Sequence, residues 1–293
     1  MVTRRCVIDL RELWSQICAH VQTCSAARGS RLQGRMNSLI VVAHPEPKSF
    51  NAALALVAQQ CLQSQGHQVR VSDLYARAFA PDEHPRHYVR RKNQARFDAL
   101  TEQRFNAERD ALPQDIASEI GDLLWAQLLV LQFPLWWFGM PAILKGWMDR
   151  VFVYGKLYSG NRRFHSGVCR GKRAMLSVTA GSSTEACSYN GQEGDTRLLL
   201  WPINYSLHYL GFTVLEPLIL TGVRSALRGE DSVAHEQRLH EQLRRHAARF
   251  VELDAIAAIR FNGAEEWDEH RKLKAGTPAH SPFIRHHADW RLG

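Results

Sequence analysis

Short apolar segments alternate with helical segments from Asn37 onward, and this alternation restricts the fold more than any other feature. The run Leu39–Ala43 (LIVVA) is continuously apolar, as expected of a parallel strand that is buried on both faces. Four further strands are predicted, around residues 69–71 and over residues 128–133, 173–179 and 212–215. Helices are predicted over residues 51–65, 115–127, 141–152, 196–210 and 232–259. Strands that alternate with helices predict an α/β fold, a doubly wound five-stranded parallel sheet with helices on both faces.

The chain is predicted to have three parts, with residues 36–259 as the α/β domain. Residues 1–35 form an N-terminal extension with six arginines and two acids, a composition that also fits an organelle transit peptide. We favour Met36 as the natural start, because the first strand begins directly after it. Residues 76–115 are predicted to be an irregular insertion, and residues 260–293 an irregular C-terminal tail.

Charge and cysteine content argue against several classes of function. The formal net charge is +8, but the basic residues are scattered and not interleaved with aromatic residues, so no nucleic-acid partner is predicted. None of the six cysteines forms a C-x-x-C pair, and no metal site is predicted. Without a secretory signal, reduced thiols indicate a cytoplasmic protein. The longest apolar run, residues 128–144, is too short and too interrupted for a transmembrane segment.

Ligands of doubly wound sheets bind at the carboxyl ends of the strands, so the loops after strands one, three and four are the candidate site. The first loop, AHPEPKSFN (43–51), lacks the glycines of a nucleotide-binding fingerprint. Ser49 and Asn51 lie near a helix N-terminus, where free N–H groups attract anions, and Lys48 and His44 add positive charge. Alternatively, Ser49 or Asn51 is an ordinary helix cap.

The second loop contains LQFPLWWFGMP (131–141), which concentrates aromatic rings at a turn. Pro134 and Pro141 stiffen this loop, and Gly139 is predicted to let the chain turn. The three consecutive aromatic residues cannot all point into the core, so at least one should offer a face to a flat ligand or to a protein partner. The third loop, TAGSST (179–184), offers small residues that let a ligand approach the backbone. One phosphate-binding end and one ring-binding end together predict a flavin nucleotide.

Four motifs resemble the flavodoxin-like NAD(P)H:quinone oxidoreductases, the DT-diaphorase family. They are AHPEPKSFN (43–51), QFPLWWFGMPAILKGWMDRVF (132–152), GDTRLLLWPI (194–203) and LGFTVLEP (210–217), and the tail HSPFIR (280–285) is similar to that of the bacterial-type branch. The resemblance covers residues from about 37 to about 250. It implies FAD as the cofactor rather than FMN, NAD(P)H as co-substrate, and a homodimer with active sites at the subunit interface.

The resemblance also implies positions for the cofactor. The phosphates and ribityl chain should lie along His44, Lys48, Ser49, Phe50 and Asn51. The isoalloxazine ring should be lined by Pro134, Leu135, Trp136, Trp137 and Phe138, and its other edge by Thr179, Ala180, Gly181, Ser182 and Cys187. Trp137 and Phe138 should stack on the nicotinamide or on the quinone, with Tyr158 on the pocket wall.

The predicted reaction is a ping-pong transfer in which NAD(P)H passes hydride to flavin N5 and leaves, and a quinone-like small molecule then takes it. Nitro and azo compounds are further acceptors. The family's best-studied branch has a Tyr and a His that assist the reduced ring, where this sequence places Cys187 and Glu193. Tyr189 and Glu193 are therefore the candidate catalytic residues. Tyr189 and backbone N–H groups replace the pair, or charge stabilisation is weaker. Alternatively, Cys187 is merely a small buried residue and Glu193 a surface acid.

Two other functions fit the same motifs. The first is a regulatory flavoprotein that docks on a partner such as an ion-efflux system, which the departures at Cys187 and Glu193 and the basic tail favour. The second is a single-electron carrier, which the length and basic charge of the chain disfavour. No arginine cluster in the sequence is tied to a 2′-phosphate site, so the sequence does not select between NADH and NADPH.

Overall fold

A computed structural model describes residues 34–224 and 230–287, and its strands form one parallel sheet. The strands are β1 (Asn37–Val42), β2 (Gln68–Asp73), β3 (Leu128–Pro134), β4 (Arg173–Thr179), β5 (Thr213–Val214) and β6 (Leu218–Leu220). Their order is β2-β1-β3-β4-β5, and β6 also pairs with β4. Because β5 and β6 both lie along β4, they share one position in the sheet, interrupted near Pro217. The predicted five-stranded, doubly wound sheet is confirmed.

Helices cover both faces of this sheet, as predicted. They are α1 (Phe50–Ser64), α2 (Ala99–Ala107), α3 (Gln114–Trp125), α4 (Ala142–Val151), α5 (Thr196–Leu199), α6 (Trp201–Tyr209) and α7 (Glu230–Val251). One apolar core joins a sheet face to α3, α4 and α6, and it includes Ile120, Trp147 and Leu207. A second core joins the other face to α1 and α7, through residues such as Leu54 and Leu243. The central strand β3 is buried throughout.

The prediction that residues 76–115 are irregular was wrong, because α2 lies within them. Asp98 caps this helix by accepting a hydrogen bond from the N–H of Thr101 (2.8 Å). The buried positions of α2 are mostly polar: Glu102, Gln103 and Asn106. The Glu102 carboxylate accepts the backbone N–H groups of residues 92 and 93 at 2.8 and 3.2 Å. A helix that buries polar side chains has no apolar stripe, so the pattern did not reveal it.

Two predicted helix boundaries also needed correction. The helix predicted over 196–210 is divided into α5 and α6, because Pro202 lacks the N–H that a continuous helix requires. The helix predicted over 232–259 ends at Val251. The chain then turns, and residues 257–259 pair with residues 214–216 through bonds from Glu216 N to Ala257 O and from Ile259 N to Val214 O, both 2.8 Å. The predicted extension, residues 1–35, falls almost wholly outside the described residues.

The loop between β2 and α2 and the first turn of α3 are both held against α4. Arg150 is buried, and its guanidinium donates to the carbonyl of Ala80 (2.8 Å) and to the carboxylate of Asp115 (3.0 Å). Beside it, Gly146 lies directly against the backbone of Pro81. This contact fixes the position of α4.

A buried histidine makes stability depend on pH. His246 in α7 is fully buried, and its Nε2–H donates to the carbonyl of Leu54 in α1 (2.9 Å). Burial is the main cause that lowers the pKa of His246 to about 4. As the pH falls below about 6.5, His246 of the unfolded chain binds a proton. His246 of the folded protein stays neutral until the pH approaches about 4, so acid favours the unfolded chain. We expect this histidine alone to remove on the order of 2 kcal/mol from the free energy of unfolding between pH 7 and pH 5.

Urea unfolding at several pH values measures this effect. The variant His246→Gln keeps a donor toward Leu54 but cannot titrate, so its stability should depend less on pH over that range. An identical pH dependence in both proteins would show that His246 contributes nothing to it.

Candidate functional site

The loops that follow β1, β3 and β4 meet at one edge of the sheet. The register pairs Val42 at the end of β1 with Gln132, and Pro134 at the end of β3 with Thr179 at the end of β4. The first loop (residues 43–49), the second loop (135–141) and the third loop (180–195) therefore begin side by side. This is the convergence that the sequence predicted.

The first loop ends at a helix N-terminus that can receive an anion. Ser49 caps α1 by accepting the N–H of Ala52 (3.2 Å), so the capping interpretation is confirmed. The N–H groups of Phe50 and Asn51 donate to no acceptor within the described residues, and the first turn contains no acid. Lys48 is exposed beside them. The helix start therefore has both a cap and free N–H groups, which are suited to attract negative charge.

Buried polar contacts tie the three loops together below this helix. Asn51 donates to the hydroxyl of Thr179 (3.0 Å) and accepts from Nε2 of Gln132 (2.9 Å). Gln132 Oε1 is buried and has no partner within the described residues. Sequence reasoning missed Gln132, although it is the one polar side chain in the β3 segment LLVLQFP. An unpartnered acceptor among these residues fits a ligand that carries hydrogen-bond donors.

The second loop forms a tight turn, Trp136–Gly139, called here the aromatic turn. Trp136 N donates to Gly139 O (2.9 Å), and Gly139 N donates to Trp136 O (3.1 Å). The two central residues, Trp137 and Phe138, have φ values of +50° and +60°. Both are left-handed, as in a type I′ turn, and neither is glycine. Gly139 closes this turn as its fourth residue, but its φ is not positive, so the left-handed conformations fall on Trp137 and Phe138.

The aromatic turn displays its rings rather than burying them. Trp137 is 96% exposed, and Phe138 and Trp136 are also exposed. Holding bulky side chains in the left-handed region costs roughly 1–2 kcal/mol per residue. Because burial within the chain does not offset this cost, the conformation indicates that the rings contact a ligand or another protein chain. A flat ligand and a partner protein both remain consistent with this geometry.

His44 supports the aromatic turn rather than adding charge to the site. Its ring lies 5.9 Å from the ring of Trp136, and its Nδ1 accepts the N–H of Glu46 (3.1 Å). Burial lowers the pKa of His44 despite the nearby Glu46 carboxylate. The imidazole is therefore neutral near pH 7, and the positive charge that the sequence suggested for it is not available there.

The third loop is locked by a fourth loop (residues 221–224), which follows β6. Gly222 N donates to Ser182 O (2.7 Å), Val223 N to Ala180 O (2.9 Å), and Arg224 Nε to Gly181 O (3.3 Å). Ala180 and Thr179 are buried, whereas Gly181 is exposed. Sequence reasoning missed the fourth loop, because the two short strands before it were predicted as one strand.

The rest of the third loop carries the candidate catalytic residues at the surface. Cys187 is half-buried, and its carbonyl accepts from the N–H and hydroxyl of Thr196, each at 3.3 Å. Tyr189 is 84% exposed, and its hydroxyl makes no hydrogen bond within the described residues. Glu193 is exposed and is held only through its backbone N–H, which donates to Ala186 O (2.9 Å). The side chains of Tyr189 and Glu193 are thus accessible to a ligand.

Tyr158 does not join these loops within one chain. Its ring lies 5.6 Å from the ring of Tyr209 at the end of α6. Tyr209 shortly precedes Thr213, which pairs with Arg173 at the amino end of β4. The aromatic turn lies at the opposite end of the sheet, about 20 Å away for a strand of this length. The prediction that Tyr158 borders the same pocket therefore needs a second chain.

Neither a metal centre nor a membrane span is found in the described part of the chain. No group of three or more His, Cys, Asp or Glu side chains between residues 34 and 287, outside 225–229, could hold a metal ion. Among the same residues, no helix combines the length and the apolar character that crossing a bilayer requires.

Comparisons with known proteins agree with this geometry. The model of a family described as having a flavodoxin-like fold matches residues 36–270. A Cavia porcellus protein named NAD(P)H dehydrogenase [quinone] 1 is 40% identical over 188 residues, which are 64% of this chain and 68% of that protein. A human protein named ribosyldihydronicotinamide dehydrogenase [quinone] is 43% identical over 183 residues, 62% of this chain and 79% of that protein. A solved structure from Klebsiella pneumoniae, provisionally named a quinone reductase, superimposes with a TM-score of 0.69 and 32% identity, covering 82% of this chain and 94% of that one.

Proposed function

The chain belongs to the flavodoxin-like NAD(P)H:quinone oxidoreductase family, and from this premise we propose that it reduces quinones by two electrons with NAD(P)H, using bound FAD. The donor loses a hydride, which is one proton with two electrons. The quinone gains that hydride and one proton from water, and becomes the hydroquinone. Donor and acceptor occupy the same position in turn, in a ping-pong order. Nitro and azo compounds are proposed as further acceptors.

The aromatic turn beside an anion-receptive helix start is the observation that carries this proposal. The free N–H groups of Phe50 and Asn51 suit the phosphates of a flavin nucleotide, with His44, Lys48 and Ser49 along them. Residues 134–138 would line the isoalloxazine ring, and residues 179–182 with Cys187 its other edge. When bound, the flavin supplies hydride-transfer chemistry that side chains lack. The choice of FAD over FMN follows the resemblance of the loop motifs to a family that binds FAD.

The protein's own part in this reaction is to hold flat rings in contact and to exclude water. Trp137 and Phe138 are exposed planes fixed by the turn, so they can support the nicotinamide and then the quinone in one position. Tyr189 is proposed to donate a hydrogen bond to the reduced ring, because its hydroxyl has no partner in the described residues. The carboxylate of Glu193 cannot donate in this way, so Tyr189 rather than Glu193 is the proposed catalytic residue.

A homodimer is proposed as the active species. The three exposed rings of the aromatic turn offer a surface, and Tyr158 lies at the far end of the sheet from it. An antiparallel pair of chains would bring Tyr158 of each subunit to the aromatic turn of the other. Sedimentation equilibrium should give twice the mass of the chain. A monomer that reduces quinones at full rate would refute this part of the proposal.

Anaerobic stopped-flow absorbance tests the proposed reaction directly. The protein is loaded with FAD and mixed with NADPH or NADH, and a benzoquinone is then added. We expect rapid bleaching of the flavin band by at least one nucleotide and rapid recovery with the quinone. Bound flavin that stays oxidised with both nucleotides would refute the enzymatic proposal while leaving the family and the cofactor in place.

A further inference from the structure

Residues 155–184 contain no aspartate or glutamate but seven basic side chains, counting His165. Three of the six lysine and arginine side chains of this stretch are held by carboxylates or backbone carbonyls. Lys156 pairs with Asp110 (3.1 Å), and Arg173 pairs with Asp254 (2.6 Å). Lys172 donates to carbonyls at the end of α3, including that of Ala126 (2.6 Å). Arg162, Arg163 and Arg170 make no ion pair within the described residues.

Arg162 and Arg163 lie in a compact turn of fixed shape, called here the arginine turn (residues 159–166). Ser159 N donates to Arg162 O (3.2 Å). The hydroxyl of Ser166 donates to the carbonyls of Asn161 (2.8 Å) and Arg163 (3.0 Å). A short 3₁₀ helix, Phe164–Ser166, closes the turn. The two guanidinium groups therefore extend from an ordered backbone, which lowers the entropy that binding would cost.

The arginine turn is joined to the ring of Tyr158 through Tyr209. Arg163 donates from Nη1 to the hydroxyl of Tyr209 (3.4 Å), and its guanidinium carbon lies 5.8 Å from the centre of that ring. The ring of Tyr209 lies 5.6 Å from Tyr158 and 4.9 Å from Phe164. Arg162, next in sequence, is exposed. Arg163, which makes no ion pair within the described residues, is thus separated from Tyr158 only by the ring of Tyr209, and Arg162 is its neighbour in sequence.

The names of the relatives differ in the nicotinamide donor, and this pair of arginines bears on which donor this protein uses. Some are named for ribosyldihydronicotinamide, which has no phosphate, and others for NAD(P)H, a dinucleotide with phosphates. Unpaired arginines recognise phosphate through several N–H donors and gain nothing from a phosphate-free donor. We propose that Arg162 and Arg163 bind a phosphate of the nicotinamide donor, so that this protein uses a phosphate-bearing dinucleotide rather than ribosyldihydronicotinamide. This inference rests on the proposed function, in which Tyr158 of one subunit borders the donor site of the other.

Binding and kinetics of the double variant Arg162→Gln, Arg163→Gln test the inference. Calorimetry should show the dissociation constant of NADP⁺ rising about tenfold, and the loss should shrink at high salt, where charges are screened. The KM for NADPH should rise with it, while the KM for ribosyldihydronicotinamide stays unchanged. A KM that rises for NADPH but not for NADH places the 2′-phosphate at the arginine turn. A KM that rises equally for NADH places the pyrophosphate there. Both results support the proposal.

Two matched variants serve as controls. Arg170→Gln removes an exposed cation from the same acid-free stretch and should leave every constant unchanged. The double variant Arg162→Lys, Arg163→Lys keeps the charge and should retain much of the NADP⁺ affinity that the glutamine variant loses.

Different results would overturn the arginine site and the proposed reductase activity. Unchanged NADP⁺ binding in the glutamine variant, or an equal loss with all three donors, would overturn the arginine site. Wild-type protein that reduces no quinone with any nicotinamide would overturn the function, and the NADP⁺ titration would still decide the arginine site by itself.

Discussion

Replacing Gly146 with alanine is expected to lower the free energy of unfolding by about 3 kcal/mol. A Cβ atom at this position would lie 2.5 Å from Cα of Pro81 and closer still to its carbonyl oxygen. Both obstacles are backbone or ring atoms that cannot rotate away, so α4 or the loop between β2 and α2 has to move. Movement of either would disturb the contacts of buried Arg150 with Ala80 and Asp115. Chemical denaturation followed by circular dichroism measures the loss.

The matched control is Gly121→Ala in α3. A Cβ at Gly121 meets no atom within 4 Å, so alanine should stabilise the helix by about 0.5–1 kcal/mol. The two glycine-to-alanine substitutions, both inside helices, are thus expected to change the free energy of unfolding in opposite directions. Equal effects at the two positions would contradict the close contact between Gly146 and Pro81.

Replacing Trp137 with glycine is expected to raise stability and to abolish most activity. Glycine adopts the φ of +50° without the steric cost that tryptophan carries, and Trp137 is 96% exposed, so little burial is lost. The free energy of unfolding of the flavin-free protein should rise by about 1 kcal/mol. Loss of the exposed plane that is proposed to position both substrates should lower the proposed reductase kcat/KM by about 100-fold. Denaturation and steady-state kinetics measure the two effects separately.

Gly139→Ala is the control within the same turn. Its φ is not positive, and a Cβ there would lie 4.0 Å from Trp137 O, so both stability and kcat/KM should change little. If Trp137→Gly lost stability, the left-handed backbone would carry no strain. If it kept full activity, the exposed ring would have no part in catalysis.

The sheet was predictable from the sequence because its central strands are buried on both faces. Segments such as LIVV in β1 and LLVLQFP in β3 are mostly apolar without alternation, which is typical of a parallel sheet covered on both faces. Helix α2 was not predictable in this way, because it buries Glu102, Gln103 and Asn106. Its burial depends on partners such as the loop N–H groups that Glu102 accepts, and those partners are brought together only by the fold.

The location of the site followed from topology, whereas its local geometry did not. Parallel strands bring their carboxyl-end loops together, so three loops far apart in sequence could be assigned to one edge. Glycine is the usual residue for a positive φ, so the sequence does not reveal that Trp137 and Phe138, rather than Gly139, adopt the left-handed conformation in this turn. Tyr158 was assigned by motif alone, and a motif does not reveal which end of the sheet a long loop reaches.

The packing of α7 against α1 has a consequence for how the protein is made. β1 lies inside the sheet and α1 follows it directly, yet the apolar face of α1 is covered by Leu243 and Phe250 near the end of the domain. A nascent chain therefore leaves the part of α1 that α7 covers exposed until α7 has been synthesised. Synthesis that stops before α7 would leave an aggregation-prone intermediate, with apolar surface on this early helix that a chaperone can bind.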